Sequence, residues 1–185
     1  MSDRLADLVD GAIRGDASHM DALLEAWWPE AYRIAFGILR DRALAQDAAQ
    51  DACATTYRHI GALRSVGSYR AWLYRVVVRC AQETARKQPH VDALVETLVS
   101  KAATAPDIEE SLDVGAALGR LPHDMRVLVL LRYYANLTSR EIGSVMGIPS
   151  ATVRFRLAIA RRRLKQLLDT SPSATPLSDE VRTRA

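Results

Sequence analysis

The chain has 185 residues, 49% of them hydrophobic, with a net charge of +3 at pH 7, so it has room for one compact domain or two small ones with real cores. No run approaches the about 20 apolar residues needed to span a bilayer, and the start, MSDRLADLVDG, lacks the charged-then-apolar order of a signal peptide. A cytoplasmic protein without membrane insertion is expected, and the only two cysteines, Cys53 and Cys80, read as small buried side chains because no CxxC spacing supports a disulfide framework or a zinc knuckle.

Apolar residues recur at helical spacing nearly everywhere and no stretch alternates with the period of a half-buried strand, so the fold is expected to be all-α. Leu5, Leu8, Val9, Ala12 and Ile13 mark a first short helix ending near Gly15-Asp16. A longer helix follows from about Ser18 to Leu39, with a kink expected at Pro29. Asp41 begins an Ala-rich helix that ends before Gly61, and Ser68 is placed to cap the next, SYRAWLYRVVVRCAQETARK, which Pro89 closes. The weakly patterned stretch 89–106 reads as a flexible linker between domains at 1–88 and 107–169, and 170–185 reads as a disordered tail.

Charge alternates along this order. Residues 1–60 carry 6 basic and 10 acidic side chains, 61–90 carry 6 and 1, 91–120 carry 2 and 6, and 121–170 carry 9 and 3. Two basic blocks separated by an acidic one fit two polyanion-facing surfaces, or simply solvated helix faces.

In the second domain, LPHDMRVLVLLRYYANL forms a supporting helix with Pro122 at its first turn. Thr138 and Glu141 then have the spacing of a capping box, so a helix starts at Ser139 and buries Ile142, Val145 and Met146. Gly147 supplies a left-handed exit, Pro149 blocks continuation, and Ser150 is suited to cap the next helix. In that helix Val153, Leu157, Ala160, Leu164, Leu167 and Leu168 form an inward stripe. Arg154, Arg161 and Lys165 flank it on one side, Arg156 and Arg163 on the other.

Two helices around a glycine-containing turn, the second one basic, make a helix-turn-helix pattern whose second helix would enter a DNA major groove, although helical hairpins with glycine turns also occur as plain structure. Ser150, Thr152, Arg154, Phe155, Arg156 and Arg161 are its candidate DNA-contacting residues. Phe155 lies opposite the stripe, so its ring either touches a thymine methyl or packs on a neighbouring helix or partner.

In the first domain, residues 63–87 interleave Tyr69, Trp72 and Tyr74 with Arg64, Arg70, Arg75 and Arg79. Aromatic faces stack on unpaired bases while arginines hold the backbone, which suits single-stranded nucleic acid. The same spacing also reads as a buried helix face of Trp72, Leu73, Val76 and Val77, and composition alone favours core for Trp72.

The order of these parts resembles the bacterial extracytoplasmic-function (ECF) sigma factors over about residues 5–168. Asp47, Gln50 and Asp51 match that family's Asp-x-x-Gln-Glu motif, with Asp for Glu. SYRAWLYR matches its Ser-Phe-Arg-Thr-Trp-Leu-Tyr-Arg segment, and GIPSATVRFRL its Gly-Ile-Pro-x-Gly-Thr-Val-Lys-Ser-Arg-Leu segment. The resemblance implies a sigma-2-like helical bundle and a sigma-4-like helix-turn-helix domain that bind core RNA polymerase, recognise promoter DNA and help open it. Asp47, Gln50 and Asp51 would grip polymerase. Arg64, Ser65, Tyr69, Trp72, Arg75 and Arg79 would handle the minus-10 element as duplex and non-template single strand, and the terminal helix-turn-helix would read minus-35. An anti-sigma partner and association with the nucleoid are implied in the same way.

This sequence departs from the family pattern at Val78, Arg79 and Glu83, where many members have Arg, Asn and Asp, so minus-10 preference does not carry over. Ala48 and Ala49 replace larger aliphatics in the clamp motif. Phe155 replaces a small polar residue, and Ala158 and Ile159 stand where basic or polar residues are common. No cofactor and no metal site are expected. His19, His59, His90 and His123 are scattered, no Gly-rich phosphate loop is present, and the chain does not read as an enzyme. The rival readings are a helix-turn-helix regulator that never touches polymerase and a protein-interaction adaptor with a degenerate DNA surface.

Overall fold

The computed structural model describes residues 2–63, 65–87 and 115–169. Among these the regular structure is entirely helical. The first module contains α1 (Ser2–Ile13), α2 (Ala17–Leu39), α3 (Arg42–His59) and α4 (Tyr69–Lys87), with 3-10 turns at Ile60–Ala62 and Val66–Ser68 before α4. The second contains helical backbone over 115–119, then α5 (His123–Val129), a π-helical turn at Leu130–Tyr134, α6 (Ser139–Met146) and α7 (Ser150–Asp169). The expected linker at 89–106 and tail at 170–185 lie outside the described residues, as does Arg64.

Helix starts follow local chemistry, with three adjustments. Asp41 caps α3, its carboxylate accepting the Leu44 N–H at 2.9 Å. At α2 the cap is Asp16, two residues before the expected start at Ser18. Its carboxylate takes the backbone N–H groups of Ser18 and His19 at 2.9 and 3.2 Å and the Ser18 hydroxyl at 2.7 Å, a set that lowers its pKa to about 2. Ser68 does not cap α4, because its hydroxyl is committed backwards to the Ser65 carbonyl at 2.8 Å within the 3-10 turn. α7 begins at Ser150 itself, where the Pro149 carbonyl accepts the first helical bond from Val153 at 3.1 Å. Helix α2 runs through Pro29 as one 23-residue element.

The hydrophobic core is continuous across both modules. Leu23, Trp27, Ile34 and Ile38 of α2, with Leu73 and Val77 of α4, belong to the same cluster as Leu128, Leu131, Ile142 and Val153 of the second module. The sequence, read as two basic blocks around a linker, suggested separate cores. Gly37 explains how the modules approach so closely, since a β-carbon there would lie 2.8 Å from a Leu130 methyl.

Polar contacts fasten the same seam. Glu30 accepts the Tyr74 hydroxyl at 2.6 Å and the Tyr134 hydroxyl at 2.9 Å, one from each module. Burial and that carboxylate push both phenols above their ordinary range. Arg70 donates to the Ala135 carbonyl at 2.9 Å. Arg126, only 8% exposed, spreads its guanidinium over the carbonyls of Ile38, Leu118, Gly119 and Leu121 at 2.9–3.2 Å, joining the end of α2 to the entry of the second module. A cation suits that place because carbonyls at helix C-termini carry partial negative charge.

Candidate nucleic-acid interface

The helix-turn-helix is built by two glycines and a capping box. Thr138 Oγ1 accepts the Glu141 N–H at 3.3 Å, and the Glu141 carboxylate takes the Thr138 N–H at 2.7 Å, so α6 starts where its sequence signature says. Gly147 exits at φ +68°, and its N–H and that of Ile148 both return to the Gly143 carbonyl. Gly143 is the less obvious requirement. A β-carbon on it would sit 2.6 Å from the Ile148 carbonyl oxygen, so only glycine lets the turn fold back this tightly against α6.

That turn presents α7 with its stripe inward and its cations outward. Val153, Leu157 and Ala160 are buried, while Leu164, Leu167 and Leu168 are half-buried toward the exposed end of the helix. Arg154, Phe155 and Arg161 are exposed; Ser150, Thr152 and Arg156 are partly so. Arg156 lies 4.0 Å from the Asp124 carboxylate of α5, which holds it beside the face without removing it from solvent.

In the first module, helices α3 and α4 enclose a groove of about 490 Å³. Trp72, Arg75 and Arg79 line it from α4, and Arg58 and His59 from the end of α3. Sequence reasoning named the first three and missed Arg58 and His59 as part of this surface. Their placement at the C-terminus of an amphipathic helix, just before the 61–68 loop, was the available signal. Trp72 is half-buried, one side on the core and one on the groove, so the core and surface readings each describe part of it. Tyr69 is the correction within this set. Its ring is 6% exposed and belongs to the core, because it opens α4 against the first module's interior, and it offers no face to a base. Ser65 is exposed.

Two of the groove's arginines are already engaged. Arg79 Nε bonds the Glu83 carboxylate at 2.9 Å, which holds that carboxyl below its usual range. Arg75 donates to the Ser144 hydroxyl of α6, reaching across to the other module. Cys53 and Cys80 sit at the α3/α4 contact, half-buried and buried, with burial pushing both thiols up, as small apolar fillers behave. Asp47, Gln50 and Asp51 are all exposed on α3, while Ala48, Ala49 and Ala52 face the core. The motif thus forms a solvent-facing acidic edge.

Comparison with known proteins agrees with this geometry. The Sigma-70 region 2 family matches residues 23–90 and the Sigma-70 region 4 family matches residues 111–164. The ECF RNA polymerase sigma factor SigM of Mycobacterium tuberculosis is 30% identical over 164 residues, 88% of this chain and 84% of that protein. The chain belongs to the ECF RNA polymerase sigma factors. The RNA polymerase sigma-H factor of Pseudomonas aeruginosa is 27% identical to this sigma factor over 179 residues, covering 87% of this chain and 92% of that one. Among solved structures, CnrH in complex with the cytosolic domain of CnrY superposes with a TM-score of 0.69 at 20% identity, over 90% of this chain and 97% of that one. The sigma factor RpoE of Bartonella quintana, in complex with the anti-sigma factor NepR, gives 0.68 at 19% identity over 82% and 97%. These likenesses support the all-helical fold of this sigma factor. Among the described residues no helix is long and apolar enough to cross a membrane.

Proposed function

We propose that this sigma factor divides promoter recognition among three of its surfaces. Asp47, Gln50 and Asp51 clasp core RNA polymerase through the acidic edge of α3. The α3/α4 groove, with Trp72 as stacking surface and Arg58, His59, Arg75 and Arg79 along the backbone path, takes the non-template strand of the minus-10 element, assisted by Ser65 and Arg64. Extracting a base costs a few kcal/mol, and stacking on an aromatic returns about 1–3 kcal/mol per base. Helix α7 enters the major groove at minus-35 through Ser150, Thr152, Arg154, Phe155, Arg156 and Arg161.

The observation that carries this reading is the bare outward face of α7. Its stripe is used in packing, buried at Val153, Leu157 and Ala160 and half-buried beyond, yet Arg154 and Arg161 are exposed to solvent. The factor works on the chromosome and performs no catalysis of its own. An anti-sigma partner, as NepR is for the RpoE of Bartonella quintana, is proposed here as well.

The test adds the purified full chain to core polymerase and a randomised promoter library, and sequences the transcript starts. Starts at defined sites with paired upstream elements are expected. Duplex binding without starts would mean a regulator that does not use polymerase, and neither result would leave only an adaptor. Reversing the charge at Asp47 and Asp51 is expected to impair polymerase binding and spare binding to an isolated minus-35 duplex. Equal loss of both would remove the assignment of α3.

A further inference from the structure

The outward face of α7 is not uniformly polar. Phe155 is 67% exposed, and Ile159, one turn further on, is 38% exposed. With Ala151 and Ala158, both exposed, they make an apolar strip along the N-terminal half of the helix, directly opposite the buried stripe and closed at its far end by the exposed Arg162. At 100° per residue the strip is bordered by Arg154, Arg161 and Lys165 on one side and by Thr152, Arg156 and Arg163 on the other. The border arginines and lysine carry no acidic neighbour on α7 before Asp169, and Asp124 touches only Arg156. An apolar strip between two cationic rows is what a helix needs to lie in a major groove. The rows reach the two phosphate walls, and the strip faces the floor. A protein partner covering the same strip would have to desolvate cations on both flanks.

The major-groove floor has one apolar feature that distinguishes bases, the C5-methyl group of thymine. Phe155 is the sixth residue of α7, about 7.5 Å along the helix from Ser150, within the first two turns that reach base edges. The geometry points to Phe155 as a specificity-determining residue that reads a thymine methyl in the minus-35 element, with Ile159 backing the same contact. This inference rests on α7 being the minus-35 reader. It adds that this sigma factor's promoters carry thymine at the position facing Phe155, where a small polar side chain would select by hydrogen bonding.

The experiment uses holoenzyme assembled from the full chain and core polymerase. The best promoter from the library is resynthesised with deoxyuridine replacing each minus-35 thymine in turn, which removes only the methyl group. One replacement is expected to weaken promoter binding about four-fold or more, the transfer free energy of a single methyl. Phe155→Ser should lose that discrimination, Phe155→Leu should keep part of it, and Arg154→Ala should weaken binding while preserving the thymine-to-uracil ratio. Phe155 is exposed, so these variants fold. Specific starts from a minus-35 element with no methyl-sensitive position, or methyl sensitivity unchanged in Phe155→Ser, overturn the assignment and leave the sigma reading intact. Absence of any specific starts overturns that reading first.

Discussion

Replacing Gly143 by alanine should destabilise the second module even though alanine is the better helix former. The new β-carbon would stand 2.6 Å from the Ile148 carbonyl oxygen, 3.5 Å from the Ser150 nitrogen and 3.7 Å from the Pro149 carbonyl carbon. A carbon–oxygen contact settles near 3.3 Å or beyond, so the turn backbone must retreat by about 0.7 Å. Overpacking of this kind costs about 1–3 kcal/mol, and because the obstacle is backbone that has no rotamer to escape into, the upper part of that range, about 2–3 kcal/mol, applies, against which the gain in helix propensity returns about 1 kcal/mol. A net loss of about 1–2 kcal/mol is expected, read as a fall of about 2–4 °C in Tm per kcal/mol for a chain of this size. Gly147→Asn is the control. Its β-carbon meets nothing within 4 Å, and asparagine tolerates the left-handed backbone at φ +68°, so a change of a few tenths of a kcal/mol is expected. Thermal denaturation of the two full-length variants, followed by circular dichroism, decides the matter. A Gly143→Ala protein as stable as the parent, or less affected than Gly147→Asn, refutes the steric reasoning.

Arg126→Met should cost about 2–4 kcal/mol in urea denaturation, because four buried or half-buried carbonyls lose their shared donor, and Arg126→Lys should recover only part since an ammonium lacks the planar fork. Asp16 has its folded pKa lowered to about 2, so its contribution to stability is present above the unfolded carboxylate range near 4 and is lost as pH falls toward 2. In Asp16→Asn the N-cap survives, and the difference in stability between the two proteins should shrink across that window, measured by parallel acid titrations of helicity. Arg161→Ala should weaken minus-35 duplex binding equally for all sequences and flatten the plot of log affinity against log salt by about 0.9, one phosphate contact; an unchanged slope would place Arg161 off the DNA.

What was legible in the sequence is what is local. Asp41, the Thr138/Glu141 box and the Gly147 exit each act within four residues, and each stands as expected. The buried Ile142, Val145, Val153, Leu157 and Ala160 follow from helical period alone. At α2 the expected start at Ser18 gave way to a cap at Asp16, whose carboxylate reaches two backbone donors and the Ser18 hydroxyl together. Ser68 was misread because a 3-10 turn offers its hydroxyl an acceptor three residues back. The rest depends on partners far along the chain. Gly143 has its role only because Ile148 folds back over it, Arg126 looks like any helix-surface arginine until Ile38 is placed beside it, and Tyr69 reads as a stacking ring until the first module closes around it. Arg58 and His59 join the groove only when α3 and α4 pair.

The seam between the modules is open to a direct perturbation. Gly37 lies in the last turn of α2, where its absent side chain admits Leu130, with both terminal methyls of that leucine within 2.9 Å of where a β-carbon would be. A long polar helix former placed there, Gly37→Gln, strengthens α2 by about 0.5–1 kcal/mol of propensity and at the same time drives a wedge against the second module. In contrast with Gly143, the obstructing atoms are the end of a side chain, so each module can keep its own fold while the contact between them gives way. The Glu30–Tyr134, Arg70–Ala135 and Arg75–Ser144 bonds cross the same seam and would be strained or lost together, releasing Arg75 to the α3/α4 groove. The expected result is an increased radius of gyration in small-angle scattering with unchanged helical circular dichroism, and tighter binding of a single-stranded oligonucleotide. Unchanged dimensions would show that Gly37 is not a keystone of the contact. Loss of helicity would show instead that the shared core is indispensable to both modules, which cannot then separate as folded units.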